Sequence, residues 1–163
     1  MKRNLIILFT LFVGFAACKP DGLPGIGDPV NKLDLISGNW QLDKVVQVDL
    51  NAVKYNFPYK ELDVTAVAPF NQFKLSFALN NGAPATFTTT PGNSPKFIPF
   101  ASGNWQVDDK KIPQKIDLSS GPDTVKMQLG PSNGLQSGTL IIQLIKGDGV
   151  KSLLRYDYYF KKI

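Results

Sequence analysis

The 163-residue chain contains no histidine and only one cysteine. Without imidazole there can be no Ser-His-Asp triad, no histidine-ligated zinc and no general base that titrates near neutral pH unperturbed. A single cysteine excludes an intramolecular disulfide. Long apolar runs are also missing. The longest, Leu5 to Phe15, has 11 residues broken by Thr10 and Gly14, whereas a membrane-crossing helix needs about 20. Basic residues do not cluster beyond the pairs Lys2-Arg3, Lys110-Lys111 and Lys161-Lys162, so no stripe points to nucleic acid. Phosphate-binding loops are absent too: Gly22-Leu23-Pro24-Gly25-Ile26-Gly27 has the glycines but the wrong spacing and no strand before it.

What remains is 43% hydrophobic and 19% charged, the composition of one ordinary globular domain. Its start is different. Lys2 and Arg3, the apolar run and then small Ala16 and Ala17 have the three-part layout of a secretory signal, expected over residues 1–17. The formal charge of +5 falls to +3 once Lys2 and Arg3 leave with it. Phe15-Ala16-Ala17-Cys18 resembles the bacterial lipobox, although the residue three places before the cysteine is usually Leu. The resemblance implies that Cys18 is the lipidation site, holding the chain to a lipid bilayer of the cell envelope. Several acyl chains, at about 0.8 kcal/mol per buried CH₂, anchor far more firmly than one. Cleavage after Ala16 is the alternative, and it would leave Cys18 a stray thiol.

Residues 18–36 read as a lipidated N-terminus and tether. Pro20, Pro24 and Pro29 alternate with Gly22, Gly25 and Gly27 and disfavour both helix and ladder. Fully extended, the stretch reaches roughly 60 Å. Lys19, Pro20 and Asp21 faintly resemble a surface-sorting signal of outer-membrane lipoproteins, which have several acids where this chain has one.

From Ser37 onward, over residues 37–163, the period is two. Trp40, Leu42, Val46, Val48 and Leu50 share one expected face, with Lys44 an exception on it. Phe73, Leu75, Phe77 and Leu79 alternate with polar or small residues up to a hairpin turn at Asn80-Asn81-Gly82. Polar turns at Asp108-Asp109, Gly121-Pro122 and Gly147-Asp148-Gly149 separate further alternating runs. The last run sets Leu154, Tyr156, Tyr158 and Phe160 against Arg155, Asp157, Tyr159 and Lys161. The spacing predicts about eight antiparallel strands, as an up-and-down barrel or a sandwich. Residues 52–69 are less regular, with a short strand expected near Leu62 to Val67.

One motif occurs twice. Ser37-Gly38-Asn39-Trp40-Gln41-Leu42-Asp43 returns as Ser102-Gly103-Asn104-Trp105-Gln106-Val107-Asp108, with unrelated flanks. Glycine suits a backbone angle closed to other residues, and tryptophan can plug a core at a strand's start. Gly38-Asn39-Trp40 resembles the G-x-W signature of lipocalins. With the lipobox, tether and closing aromatic strand, the chain is similar to a lipocalin-like domain of unknown function common among bacterial lipoproteins. The resemblance implies a lipocalin-like barrel in which Gly38, Trp40, Gly103 and Trp105 close one end. The T-D-Y segment and the disulfide-bonded C-terminal helix of lipocalins are missing, so no ligand pocket carries over.

No catalytic, metal or cofactor residues stand out. Asp108-Asp109 and Asp148 read as solvated turns, Tyr156, Tyr158 and Phe160 as core, and Tyr55, Phe57 and Tyr59 as an exposed aromatic surface. Glu61 and Asp63 would share a face in a strand. The expected function is non-enzymatic binding of a small apolar ligand, a glycan or an envelope protein, at the outer membrane. A carboxylate-dependent glycan hydrolase and a structural component of an envelope assembly are the alternatives.

Overall fold

Alternation becomes strand almost everywhere it occurs. The computed structural model describes residues 30–163; Cys18, the signal-like segment and most of the tether lie outside them. Nine strands follow: β1 (Gly38–Asp49), β2 (Glu61–Asp63), β3 (Lys74–Asn80), β4 (Ala83–Thr90), β5 (Ser102–Val107), β6 (Lys115–Ser120), β7 (Asp123–Leu129), β8 (Thr139–Gly147) and β9 (Ser152–Lys162). Neighbours in sequence pair antiparallel from β3 to β9, β1 pairs with β3, and β1 also pairs with β9. That last ladder runs from Trp40 opposite Lys162 to Asp49 opposite Leu154 and closes the sheet on itself. The fold is an eight-stranded up-and-down antiparallel β-barrel. Extra strand β2 lies beside β1 at Val46 to Val48, above the stretch of β1 that pairs with β3.

Turns explain the meander. Asn81 and Gly82 both have positive φ, 50° and 73°, as a tight two-residue hairpin requires. Gly121 and Pro122 make the equally short β6–β7 turn.

The expected face of β1 is right only as far as Leu42. A bulge sets Asp43 and Lys44 together against Tyr159, between Leu42–Phe160 and Val45–Tyr158. Both therefore point outward, Val45 enters the core, and Lys44 is exposed. Beyond the bulge the phase is inverted. Val46 and Val48 are buried apart from the barrel core, as is Ala52 of α2 (Leu50–Lys54). Leu50 starts that helix rather than ending the strand. One inserted residue reverses every later side chain.

The tether reading also stops short of Ile36. Helix α1 (Lys32–Ile36) follows the last proline of the Pro/Gly series, with Asn31 accepting from the Leu33 N–H as its cap. Leu33 and Ile36 are buried in the barrel core. The compact unit is Asn31–Ile163. Residues 52–69 hold the short β2, earlier than expected, and a 3-10 turn at Thr65–Val67. Asp63 turns the chain by accepting from the Thr65 N–H.

Candidate functional site

The up-and-down order sorts loops to two ends. At the entry end lie α1, the Asn81-Gly82 turn, the β5–β6 loop and a 3-10 turn at Ser132–Ser137. At the far end lie α2, the β4–β5 loop, the β6–β7 turn and the β8–β9 turn.

Both tryptophans are buried and both donate to a backbone carbonyl. Trp40 Nε1 lies 2.7 Å from Ile36 O and Trp105 Nε1 lies 2.8 Å from Ala78 O. Trp40 therefore ties β1 to the end of α1, while Trp105 packs on Phe77 with ring centroids 5.0 Å apart. Their glycines differ. Gly38 sits at φ 111°, where only Lys162 Cε would approach an added Cβ. Gly103 has no positive φ; a Cβ there would run into Ser119 O and the Phe87 ring.

The barrel interior is occupied by side chains. Leu42, Phe73, Leu75, Ile116, Ile142 and Phe160 are fully buried. At the far end the β4–β5 loop folds inward: Phe97 stacks on Tyr158 at 3.9 Å and 10°, and lies 4.5 Å from Phe73. Burial, with Tyr156 adding to it, pushes the Tyr158 phenol well above its usual range. Tyr156 reaches from β9 to Gln47 of β1, its hydroxyl donating to Oε1 at 2.9 Å. These tyrosines, with Phe160, face inward.

The carboxylates build turns. Asp108 Oδ1 accepts from the N–H groups of Lys115, Gln114 and Asp109, at 2.9–3.0 Å. Asp109 Oδ1 accepts from Ile112 and Lys111, and Asp148 Oδ1 from Lys151 and Val150. In each case those backbone donors hold the carboxyl below its ordinary pKa. Glu61 and Asp63 do occupy one strand, but each has its own outlet. Thr65, through its side chain and then its N–H, lowers the Asp63 pKa, with Lys44 3.6 Å away. The Arg155 guanidinium grips Asp157 in two bonds of 2.7 and 2.9 Å, which raise its pKa, and Glu61 adds a smaller push in the same direction. Among the described residues no group of three or more His, Cys, Asp or Glu could hold a metal ion.

Two surface features remain. Six of the eleven large apolar residues that the described surface exposes lie between Val53 and Val67, and Tyr59 is 90% exposed. The Tyr55 and Phe57 rings sit 5.9 Å apart, with Lys54 Nζ 5.0 Å from the Tyr55 ring. The second feature is a groove of about 530 Å³ on β5 to β8, lined by Gln106, Lys115, Asp117, Lys126, Gln128 and Gln143 among others.

No family model matches this chain. A search of curated proteins likewise finds no match. What the protein does is read from its own interior and surface. Tyr55, Phe57 and Tyr59, which their sequence offers as candidates for an aromatic surface, are exposed. The groove has no such mark in the sequence: β7 alternates like any other strand, and nothing in Thr124 to Gln128 tells that its far edge lacks a neighbour.

Proposed function

We propose that this protein is an extracytoplasmic lipoprotein of the bacterial outer membrane, anchored through acylated Cys18, whose barrel binds a partner by its outer surface without catalysis. The lipobox-like residues support the anchor. A closed eight-stranded barrel with Trp40 at its end supports kinship with lipocalin-like domains. The filled interior carries the choice of surface over cavity. An eight-stranded barrel holds either side chains or one small ligand, and here Phe97 and Tyr158 stand where a ligand would enter. The aromatic loop at Tyr55 to Tyr59 offers residue types that dominate protein interfaces.

Hydrolysis of glycans fits less well. A retaining or inverting hydrolase needs one carboxyl with a raised pKa as proton donor, a role that Asp63, Asp108, Asp109 and Asp148, all shifted downward, do not fit.

Two measurements test the reading. Mass spectrometry of the mature N-terminus should find a diacylglyceryl-modified Cys18; a free thiol removes the anchor. A photo-crosslinking amino acid in place of Tyr59, in intact cells, should give a discrete adduct with an envelope component. A small apolar molecule that co-purifies and saturates one site per chain would overturn the surface reading.

A further inference from the structure

The β7–β8 ladder is too short for its strands. It pairs only Gln128 with Gln143 and Leu129 with Ile142, and Gly130 N–H donates to Ile141 O at 2.9 Å just below. Yet β7 extends back to Asp123 and β8 runs on to Gly147, each fully paired on its other side. At Gly130 the strands are pressed together, an added Cβ lying 2.6 Å from Ile141 Cβ. They part toward the far end.

Alternation identifies the groups left facing the gap. Leu129 N–H donates to Gln114 O on the β6 side, while Gly130 N–H points to β8. Counting by two, Lys126 and Thr124 direct their N–H and C=O toward β8, and Ile145 directs its own toward β7; Gly147 lies beyond a register shift in the β8–β9 ladder. The groove of about 530 Å³ reaches the near end of this gap: Lys126, Met127 and Gln128 line it on one side and Gln143 and Ile145 on the other, and it continues across β6 and β5 past Lys115, Asp117, Asp108 and Gln106.

We propose that the β7–β8 seam is a docking site for an extended peptide of a partner protein, which enters as an added strand. Unpaired edges on both sides are templates for main-chain hydrogen bonding. The two faces of the seam fix the peptide's pattern. Inward, an added strand meets Val125, Met127 and Leu144, which pack on or belong to the barrel core. Outward, it lies beside Lys126, whose cross-strand partner on β6 is Asp117 but which forms no ion pair among the described residues, leaving its seam side open to an acid. The fitting segment alternates apolar residues with acids. This rests on the surface-binding reading above but not on the anchor.

The test has two arms on the full mature chain. In hydrogen exchange of the free protein, the amides of Lys126 and Ile145 should exchange freely, while those of Met127 and Leu144, paired to β6 and β9, stay protected. Equal protection of all four means a closed seam and overturns the proposal. In the second arm the probe is a capped heptapeptide alternating valine and glutamate, with a valine–lysine counterpart as control. Binding should shift the backbone resonances of Thr124, Lys126 and Ile145, and the lysine peptide should bind at least tenfold more weakly. Lys126→Pro removes one seam N–H without breaking a β6 bond and should weaken binding tenfold or more. If that variant does not fold, Lys126→Glu should reverse the preference between the two peptides. No binding at millimolar peptide, equal binding of both peptides, or shifts confined to residues 55–59 overturns the seam. The surface reading survives those failures, because only an interior ligand removes it.

Discussion

Gly38 and Gly103 hold one place in two copies of a heptapeptide, and a methyl group would harm them for different reasons. At Gly38 the obstacle is backbone: φ of 111° is open to glycine and costly for alanine, while the only near neighbour is the flexible end of Lys162. Gly38→Ala should cost about 1–2 kcal/mol in urea unfolding. At Gly103 the obstacle is a fixed carbonyl and a ring, so Gly103→Ala should cost more than Gly38→Ala, and equal losses would refute the distinction. The tryptophans permit a parallel comparison. Trp40→Phe keeps most of the plug but leaves Ile36 O without its donor, a loss of about 1–3 kcal/mol. Asp108 belongs to the same scale. Its folded pKa lies below the ordinary 3.8 because Lys115 and Gln114 donate to it. The folded state thus binds fewer protons than the unfolded one. Its contribution is complete above the unfolded value and fades as pH falls through the folded one. Asp108→Asn should flatten the acid limb of a urea-midpoint profile below about pH 4.

At the scale of elements the bulge in β1 decides most. Asp43 and Lys44 point outward together, so removing Lys44 restores plain alternation with Trp40, Leu42 and Val45 still inside. That deletion should be tolerated, losing little beyond the exposed Lys44–Asp63 pair. Removing Val45 instead puts Lys44 in the core if the bulge is lost, or Gln47 and Asp49 in the buried places of Val46 and Val48 if it is kept, and should melt far lower. A circular-dichroism melt of the two deletions separates them; similar melting of both would mean the bulge relocates. This is also where the sequence was hardest to read. Strands β3 and β9 announce themselves because Phe73, Leu75, Phe77 and Leu79, and Tyr156, Tyr158 and Phe160, alternate against one core. In β1 the run Lys44-Val45-Val46 is compatible with either phase, and only pairing with Tyr158 and Tyr159 chooses. Helix α1 was hidden for a simpler reason: five residues carry less than two turns of periodicity, and its cap Asn31 also suits a linker.

For the whole molecule the question is why an eight-stranded barrel is filled rather than hollow. The plug comes from the least regular part of the chain, the β4–β5 loop, where Pro91, Pro95 and Pro99 forbid a ladder and free Phe97 to turn inward. No periodicity marks Phe97 as interior. Its ring contacts Phe73, Tyr158 and Phe160, so it fills the far end of the barrel. Phe97→Ala should then do two things at once. It should destabilise the barrel by about 2–4 kcal/mol, in the range of large-to-small core changes. It should also open an apolar vacancy lined by those three rings, of the kind that stays dry and takes up small aromatics. Titration with a fluorescent apolar probe should show one saturable site in the variant and none in the native protein. Destabilisation without a new site would mean that the loop collapses into the space; a site in both would mean that the interior was never closed.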